Sequence, residues 1–204
     1  METVIWSDSE ELQAWLTAVH IPTTNWGQDG SKTLAALWQE IVSGETVLQI
    51  EPPQRQVQVV EIVIRRGDQV LIEAAQELAN GQMRLREILP AEKMKAGEDM
   101  ETAVLRGLQE ELGIAPEAVT ILRDSYEQHQ THKDSPSYPG LPTYYTRHRL
   151  TVHVPGLPEH DFWQDNLSHE QGDPVKRHYW SWQTWAQTAP HLPQESDIFP
   201  PSDQ

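Results

Sequence analysis

An α+β domain with mixed sheets, preceded by a small helical N-terminal extension, is the fold class this sequence predicts. Three observations predict it. β-Branched runs bounded by turn residues recur from Val57 onward, one amphipathic helical stretch lies among them, and two shorter helical patterns come before them. A doubly wound fold would need helices alternating regularly with strands, and the chain has too few.

The extension covers residues 1–50. "SDSEELQAWLTAV" begins with a cap at Ser7 or Ser9 and sets Leu12, Trp15, Leu16 and Val19 at helical spacing. "IPTTNWGQDG" reads as a loop. "SKTLAALWQEIVSGE" repeats the pattern with Leu34, Leu37, Trp38 and Ile41, and Gly44 stops it. "TVLQI" is a short strand and "EPPQRQ" a break. From Val57 the character changes: "VQVVEIVIRR", the turn "GD" and "QVLIEAA" form a hairpin-like pair. "QMRLREILP" alternates Met83, Leu85 and Glu87 against Arg84 and Arg86, which predicts a half-buried strand. After the amphipathic helix, "AVTIL" and "YYTRHRLTVHV" are further strands, separated by the polar loop "RDSYEQHQTHKDSPSYPGLP". A second loop, "PGLPEHDFWQDNLSHEQGDP", leads to the aromatic strand and helical turn of "VKRHYWSWQTW". The main domain is thus placed at residues 51–190, and the tail 191–204, which ends in "PQESDIFPPSDQ" with two prolines in sequence and no basic residue in that stretch, is expected to be disordered.

Composition narrows the function. The net charge of −16 repels phosphate backbones and argues against sequence-independent nucleic-acid binding, though a small phosphorylated ligand screened by divalent cations stays open. No cysteine is present, which excludes disulfides, zinc–thiolate sites and cysteine nucleophiles and suits a reducing, cytoplasmic setting. No apolar run is long enough to cross a membrane, and the N-terminus lacks a secretory pattern. Most of the eight tryptophans are expected in cores or seams, because Trp brings a large apolar area and needs one partner for its N–H.

The helix in "AGEDMETAVLRGLQEELGI" carries the chemistry. With Gly107 at the origin of a helical wheel, Glu110 and Glu111 fall on either side within about 60°, while Leu105, Leu108 and Leu112 gather opposite. Adjacent carboxylates on one turn repel each other unless water or a hard cation such as Mg²⁺ or Mn²⁺ offsets the charge. Arg106 stands four residues before Glu110, close enough for an ion pair. Gly113 suits a C-terminal stop, and Glu98 and Asp99 favour the N-terminus.

Residues 90–114, "PAEKMKAGEDMETAVLRGLQEELGI", resemble the signature of the Nudix hydrolase family, G-x5-E-x7-R-E-U-x-E-E-x-G-U with U aliphatic. Glu98, Arg106, Leu108, Glu110, Glu111, Gly113 and Ile114 match. The resemblance implies a Nudix-type α/β/α sandwich with a mixed sheet, and pyrophosphate chemistry on a nucleoside diphosphate derivative with Mg²⁺ or Mn²⁺. By the same resemblance Glu110 and Glu111 are metal ligands, Arg106 the orienting arginine and Glu98 the supporting acid, with Glu98, Arg106 and Glu110 the catalytic set. A homodimer is common in the family. Residues 1–50 have no counterpart in its minimal domain and are a candidate surface for a protein partner.

Two positions depart from the signature. Glu92 stands where the family has glycine, and Gly107 stands where it has an acid. Losing a catalytic base typically costs about 10²–10⁴-fold in rate, so weakened catalysis is expected, with a non-catalytic nucleotide sensor, regulator or interaction module as the alternative. A glycine that weakens the helix by roughly 1 kcal/mol relative to alanine leaves room for a ligand or another chain's backbone. Glu92, a relocated acid or a loop residue facing water, is the third candidate metal ligand. Glu127, Asp161, Glu170 and Asp173 are further acids able to complete a site, His129 and His132 a weak metal pair, and Tyr138, Tyr144 and Tyr145 either pocket or brace.

Overall fold

The computed structural model describes residues 6–28 and 30–188. The expected disordered tail therefore lies outside the described residues. Two helices open the chain, α1 (Ser9–Ala18) and α2 (Leu34–Val42). Strands β1 (Val47–Gln49), β2 (Gln54–Arg66), β3 (Gln69–Leu78), β4 (Met83–Ile88) and β5 (Ala91–Lys93) follow, then helix α3 (Met100–Leu112). Strands β6 (Thr120–Asp134), β7 (Pro142–His153), β8 (Phe162–Asp165) and β9 (Val175–Thr184) and the helical turn α4 (Trp185–Thr188) complete the described chain.

The strands form a mixed network. β2 runs parallel to β7 over ten residue pairs, from Arg55–Thr143 to Ile64–Val152. β7 pairs antiparallel with β6, and β5 and β1 pair antiparallel with β2. The second half, β4-β3-β9-β8, is antiparallel throughout. β2 and β3 pair only at the tight end of their hairpin, Arg65–Val70 and Arg66–Gln69, around Gly67 at φ 62°. The α+β class with a mixed sheet and helices follows from this arrangement, as the sequence predicts.

β2 is buried on both faces over Val59–Ile64, the burial expected of a central strand with parallel pairing. Its even residues Val60, Ile62 and Ile64 pack with Leu150 and Val152 of β7 against Ala103, Val104, Leu108 and Leu112 of α3. On the other face Val63 joins Val70, Ile72 and Leu89, with Trp185 of α4 against them. A third cluster ties the N-terminal helices to the domain: Leu12, Leu16 and Leu37 pack on Tyr138 and Leu141 of the β6–β7 connection. The apolar faces of α1 and α2 are thus used within the chain itself. Below them Glu40 of α2 is 5% exposed and receives Arg55 of β2 at 2.6 Å, Lys32 at 2.6 Å and Lys93 of β5 at 2.5 Å.

Several local expectations need correction. α1 is capped by Asp8, whose carboxylate accepts the Glu10 and Glu11 amides, and not by Ser7 or Ser9. Ser7 instead bonds back to Glu11. Most of the supposed polar loop after Leu122 is strand β6, which crosses an irregularity between Leu122 and Glu127 and pairs on to Asp134. Its many polar residues hid a strand that is solvated along much of its length. The second loop contains the short strand β8. On β4 the expected half-buried face is not found: residues 83–87 are all exposed, and Arg84 and Arg86 reach across to Gln76 and Glu73 of β3. Buried acceptors on β3 set that direction. Trp163 is the more exposed of the tryptophans, and the other seven are buried or half-buried. Among the described residues no helix is long and apolar enough to cross a membrane.

Candidate functional site

Helix α3 starts at Asp99, whose carboxylate accepts from the Thr102 amide at 2.9 Å, and ends at Gly113 in the left-handed region, φ 67°. Val104, rather than Leu105, completes its buried face. That face fixes the rotation of the helix and brings Arg106 and Glu110 to a cleft of about 440 Å³ beside β5. Glu92, Lys93 and Asp173 line the same cleft. Of the four loop acids, Asp173 is the one placed here. Asp161 is occupied by the Trp182 amide and Ser181, Glu127 lies beside His129 and Arg149 on β6, and Glu170 is exposed.

Arg106 is the hub. Its Nε and Nη2 donate to both oxygens of Glu98 at 2.9 Å, its Nη2 to the Lys93 carbonyl at 2.8 Å and its Nη1 to Glu92 at 2.8 Å. Glu110 stands 3.7 Å from Nη1, the ion pair its spacing predicts. Burial alone would lower the Arg106 pKa, but hydrogen bonds to Glu98 and Glu92 raise it above its usual value. The same contact holds the Glu98 carboxyl below the usual range. Glu98 and Arg106 therefore clamp the β5–α3 loop onto the helix.

Gly107 is buried, and the space beside it is filled by a side chain of this chain, that of Glu92. A Cβ built on Gly107 would lie 2.8 Å from Cβ and 3.3 Å from Cγ of Glu92. Glu92 is no solvent-facing loop residue: it sits on β5 opposite Val60, with its side chain packed over the glycine. Burial raises its pKa and Glu110 adds to this, while the hydrogen bond from Arg106 opposes it.

Glu111 takes a different direction from Glu110. It makes no hydrogen bond or ion pair with another described residue, and the charges that act on it are those of Glu73, Glu92 and Asp173, opposed by Arg86. Burial first, then the Glu73 and Glu92 charges, push its pKa well above the carboxylate range. The residue as a whole is half-buried, so the cost falls on its carboxyl end. Such a carboxyl ionises readily only beside a cation. The oxygen donors here suit a hard divalent ion in chemistry. Among the described residues, however, no three acidic or imidazole groups stand close enough to hold an ion by themselves. Water or phosphate oxygens would have to complete the shell, as Mg²⁺ commonly retains waters.

Glu73 was not legible as a site residue. It accepts from Nδ1 of His178 at 2.5 Å, from Arg86 at 3.2 Å and from Gln76. Glu61 was missed likewise: it is 4% exposed and pairs with Arg147 and Arg149, each at 2.8 Å. The available signal was the same for both, a lone carboxylate inside an apolar strand run.

A second cleft, about 480 Å³, shares Ala91 and Lys93 with the first. Arg55, Arg86, Lys93, Lys133 and Arg147 line it, against the two acids Glu61 and Glu87. Glu87 is engaged by Gln183 at 2.8 Å. Tyr145 lies here with the Arg147 guanidinium 5.3 Å and the Lys133 ammonium 5.8 Å from its ring. In a chain of net charge −16 this is a marked gathering of cations. The three tyrosines divide: Tyr145 lines the cationic cleft, Tyr138 is fully buried against Trp26 as a brace, and Tyr144 bonds Gln130 and lines a separate hollow at Gly44 and Met94. His129 and His132, three residues apart on β6, fall on opposite faces of the strand and make no common site.

The α+β fold, with its acid-bearing helix laid on a mixed sheet, defines the class. A family model described as the NUDIX domain matches residues 54–199, well over half the chain. The chain belongs to the Nudix family. No curated protein sequence matches it. Among solved structures it is similar to the dihydroneopterin triphosphate pyrophosphohydrolase of E. coli, at 15% identity over 69% of this chain and 88% of that one, TM-score 0.41. It is also similar to a NUDIX hydrolase from Nitrosomonas europaea, 17% identical over 72% and 82%, TM-score 0.39. An Ap4A hydrolase of C. elegans in a binary complex follows, 18% identical over 66% and 84%, TM-score 0.38. The family placement rests on the family model, not on these distant likenesses.

Proposed function

We propose that this chain binds a nucleoside diphosphate derivative together with Mg²⁺ or Mn²⁺ and hydrolyses its pyrophosphate bond slowly. Glu92 and Glu110, which line the cleft, would hold the cation together with water or phosphate oxygens, Glu111 would join them only by turning toward the cleft, and Glu98 and Arg106 keep the loop and helix in register. The single observation that carries the reading is the meeting of two clefts at Ala91 and Lys93: one beside α3, where Glu45, Glu92, Glu110 and Asp173 stand among Lys32, Lys93, Lys95 and Arg106, and one cation-lined beneath Tyr145. A divalent ion supplies charge compensation for a pyrophosphate and makes water a better nucleophile. Lys133, Arg147 and Arg86 would take the remaining phosphate charge, and the Tyr145 ring offers a stacking face. The missing acid at 107 sets the expectation of a rate lowered by about 10²–10⁴-fold. The lack of cysteine suits a cytoplasmic setting.

A second reading, a nucleotide-binding module without turnover, is favoured by one observation: Glu92 is already engaged by Arg106 at 2.8 Å. A panel of dinucleotides and nucleotide sugars with Mg²⁺ and Mn²⁺, run on wild type and Glu111→Gln, separates the two. Turnover that Glu111→Gln abolishes supports hydrolysis. Metal-dependent binding of the same compounds without turnover supports the module, and neither binding nor turnover refutes both.

A further inference from the structure

The two departures from the family signature meet in space. Residues 92 and 107 are fifteen positions apart in sequence, yet a Cβ on Gly107 would sit 2.8 Å from Cβ of Glu92. Real Cβ atoms do not approach so closely, and the obstructing atom is the root of the Glu92 side chain, not its flexible end. One location therefore has space for one side chain, and β5 supplies it in place of the helix. The carboxylate that results is held by Arg106 at 2.8 Å and lines the cleft with Glu110.

We infer that Glu92 and Gly107 form one reciprocal exchange, in which the carboxylate absent from α3 is delivered to the same place from β5 and serves the cation site. This rests on the divalent-cation reading of the cleft. The exchange explains why a glycine is kept in the interior of a helix, where alanine would ordinarily stabilise. Gly107 is there to admit Glu92. It also changes the meaning of an apparent repair: Gly107→Glu alone would force two side chains into one space, while Glu92→Gly with Gly107→Glu would restore a single acid at that spot.

Two measurements test it. The first needs no metal: thermal melting of Gly107→Ala in the wild-type and Glu92→Gly backgrounds. The expected result is a reversal of sign, with a lower melting temperature in the first background and a higher one in the second. A higher melting temperature in both overturns the exchange. The second is Mn²⁺ binding by calorimetry. Glu92→Gln is expected to weaken Mn²⁺ binding by at least about tenfold, the loss that even an outer-shell partner brings, and Glu92→Gly with Gly107→Glu is expected to recover it. If Glu92 only braces Arg106, its substitution shifts the melting temperature and leaves Mn²⁺ affinity unchanged, which overturns the assignment alone. Wild type that binds no Mn²⁺ overturns the cation reading and the assignment together.

Discussion

Replacing Glu40 by glutamine should destabilise the fold more than its position in an extension suggests. The substitution keeps the volume, so little changes in packing. What changes is charge. Arg55 is 2% exposed, and in Glu40→Gln its guanidinium keeps the Thr46 hydroxyl at 3.2 Å, the Tyr145 hydroxyl at 3.4 Å, the Tyr138 ring and a neutral amide oxygen, but no opposite charge. Breaking a buried ion pair from one side costs about 3–5 kcal/mol, against a total stability of roughly 5–15 kcal/mol. Urea unfolding at neutral pH should therefore show a much lower midpoint with an unchanged slope. The pH dependence supplies a second check. Burial alone would raise the Glu40 pKa, but Lys93, Arg55 and Lys32 outweigh it and hold it far below the usual range. A depressed acid contributes its stability above the unfolded pKa of about 4.3 and loses it as the pH falls through the lower folded value. The gap between wild type and Glu40→Gln should thus be complete at neutral pH and narrow progressively below about pH 4. A loss under about 1 kcal/mol, the usual worth of an exposed pair, or a gap independent of pH, would refute the buried cluster as the joint between extension and sheet.

Glu111→Gln should raise stability while removing cation binding. The folded pKa is raised, so ionising this carboxyl destabilises the fold at any pH above the unfolded value of about 4.3. The gain in urea midpoint should be present at about pH 8 and vanish near pH 4, and a variant less stable at both would contradict the burial. Tyr138→Ala removes the ring that Trp26 and Arg55 pack on, and should cost about 3–5 kcal/mol by denaturant unfolding. A loss below about 1 kcal/mol would mean the N-terminal layer is not seated on that ring. Lys133→Ala should weaken nucleotide binding with a reduced dependence on salt and leave stability nearly unchanged, because among the described residues its ammonium makes no ion pair and lies over the Tyr145 ring. Unaltered affinity at low salt would remove the cationic cleft from the binding surface.

The sequence by itself determined the class of the fold, the central helix and the family signature. The amphipathic period of residues 100–112, the capping Asp99 and the left-handed Gly113 are local features, and local spacing reports them directly. It also marked residues 92 and 107 as departures, though as two separate ones. Only the tertiary structure joined them, because β5 lies across α3 and a fifteen-residue separation carries no information about a 2.8 Å approach. The same holds for Glu40, Glu61 and Glu73. Each reads as an ordinary acid in its segment, and each became a buried charge when cationic or imidazole side chains arrived from other elements of the fold. The polar run 123–134 was misread for a related reason: cross-strand pairing to β7 made it a strand, and a solvated edge leaves no apolar alternation to betray it. Periodicity along the chain shows which face of an element avoids water, whereas the partner of a buried charge depends on contacts made across the chain.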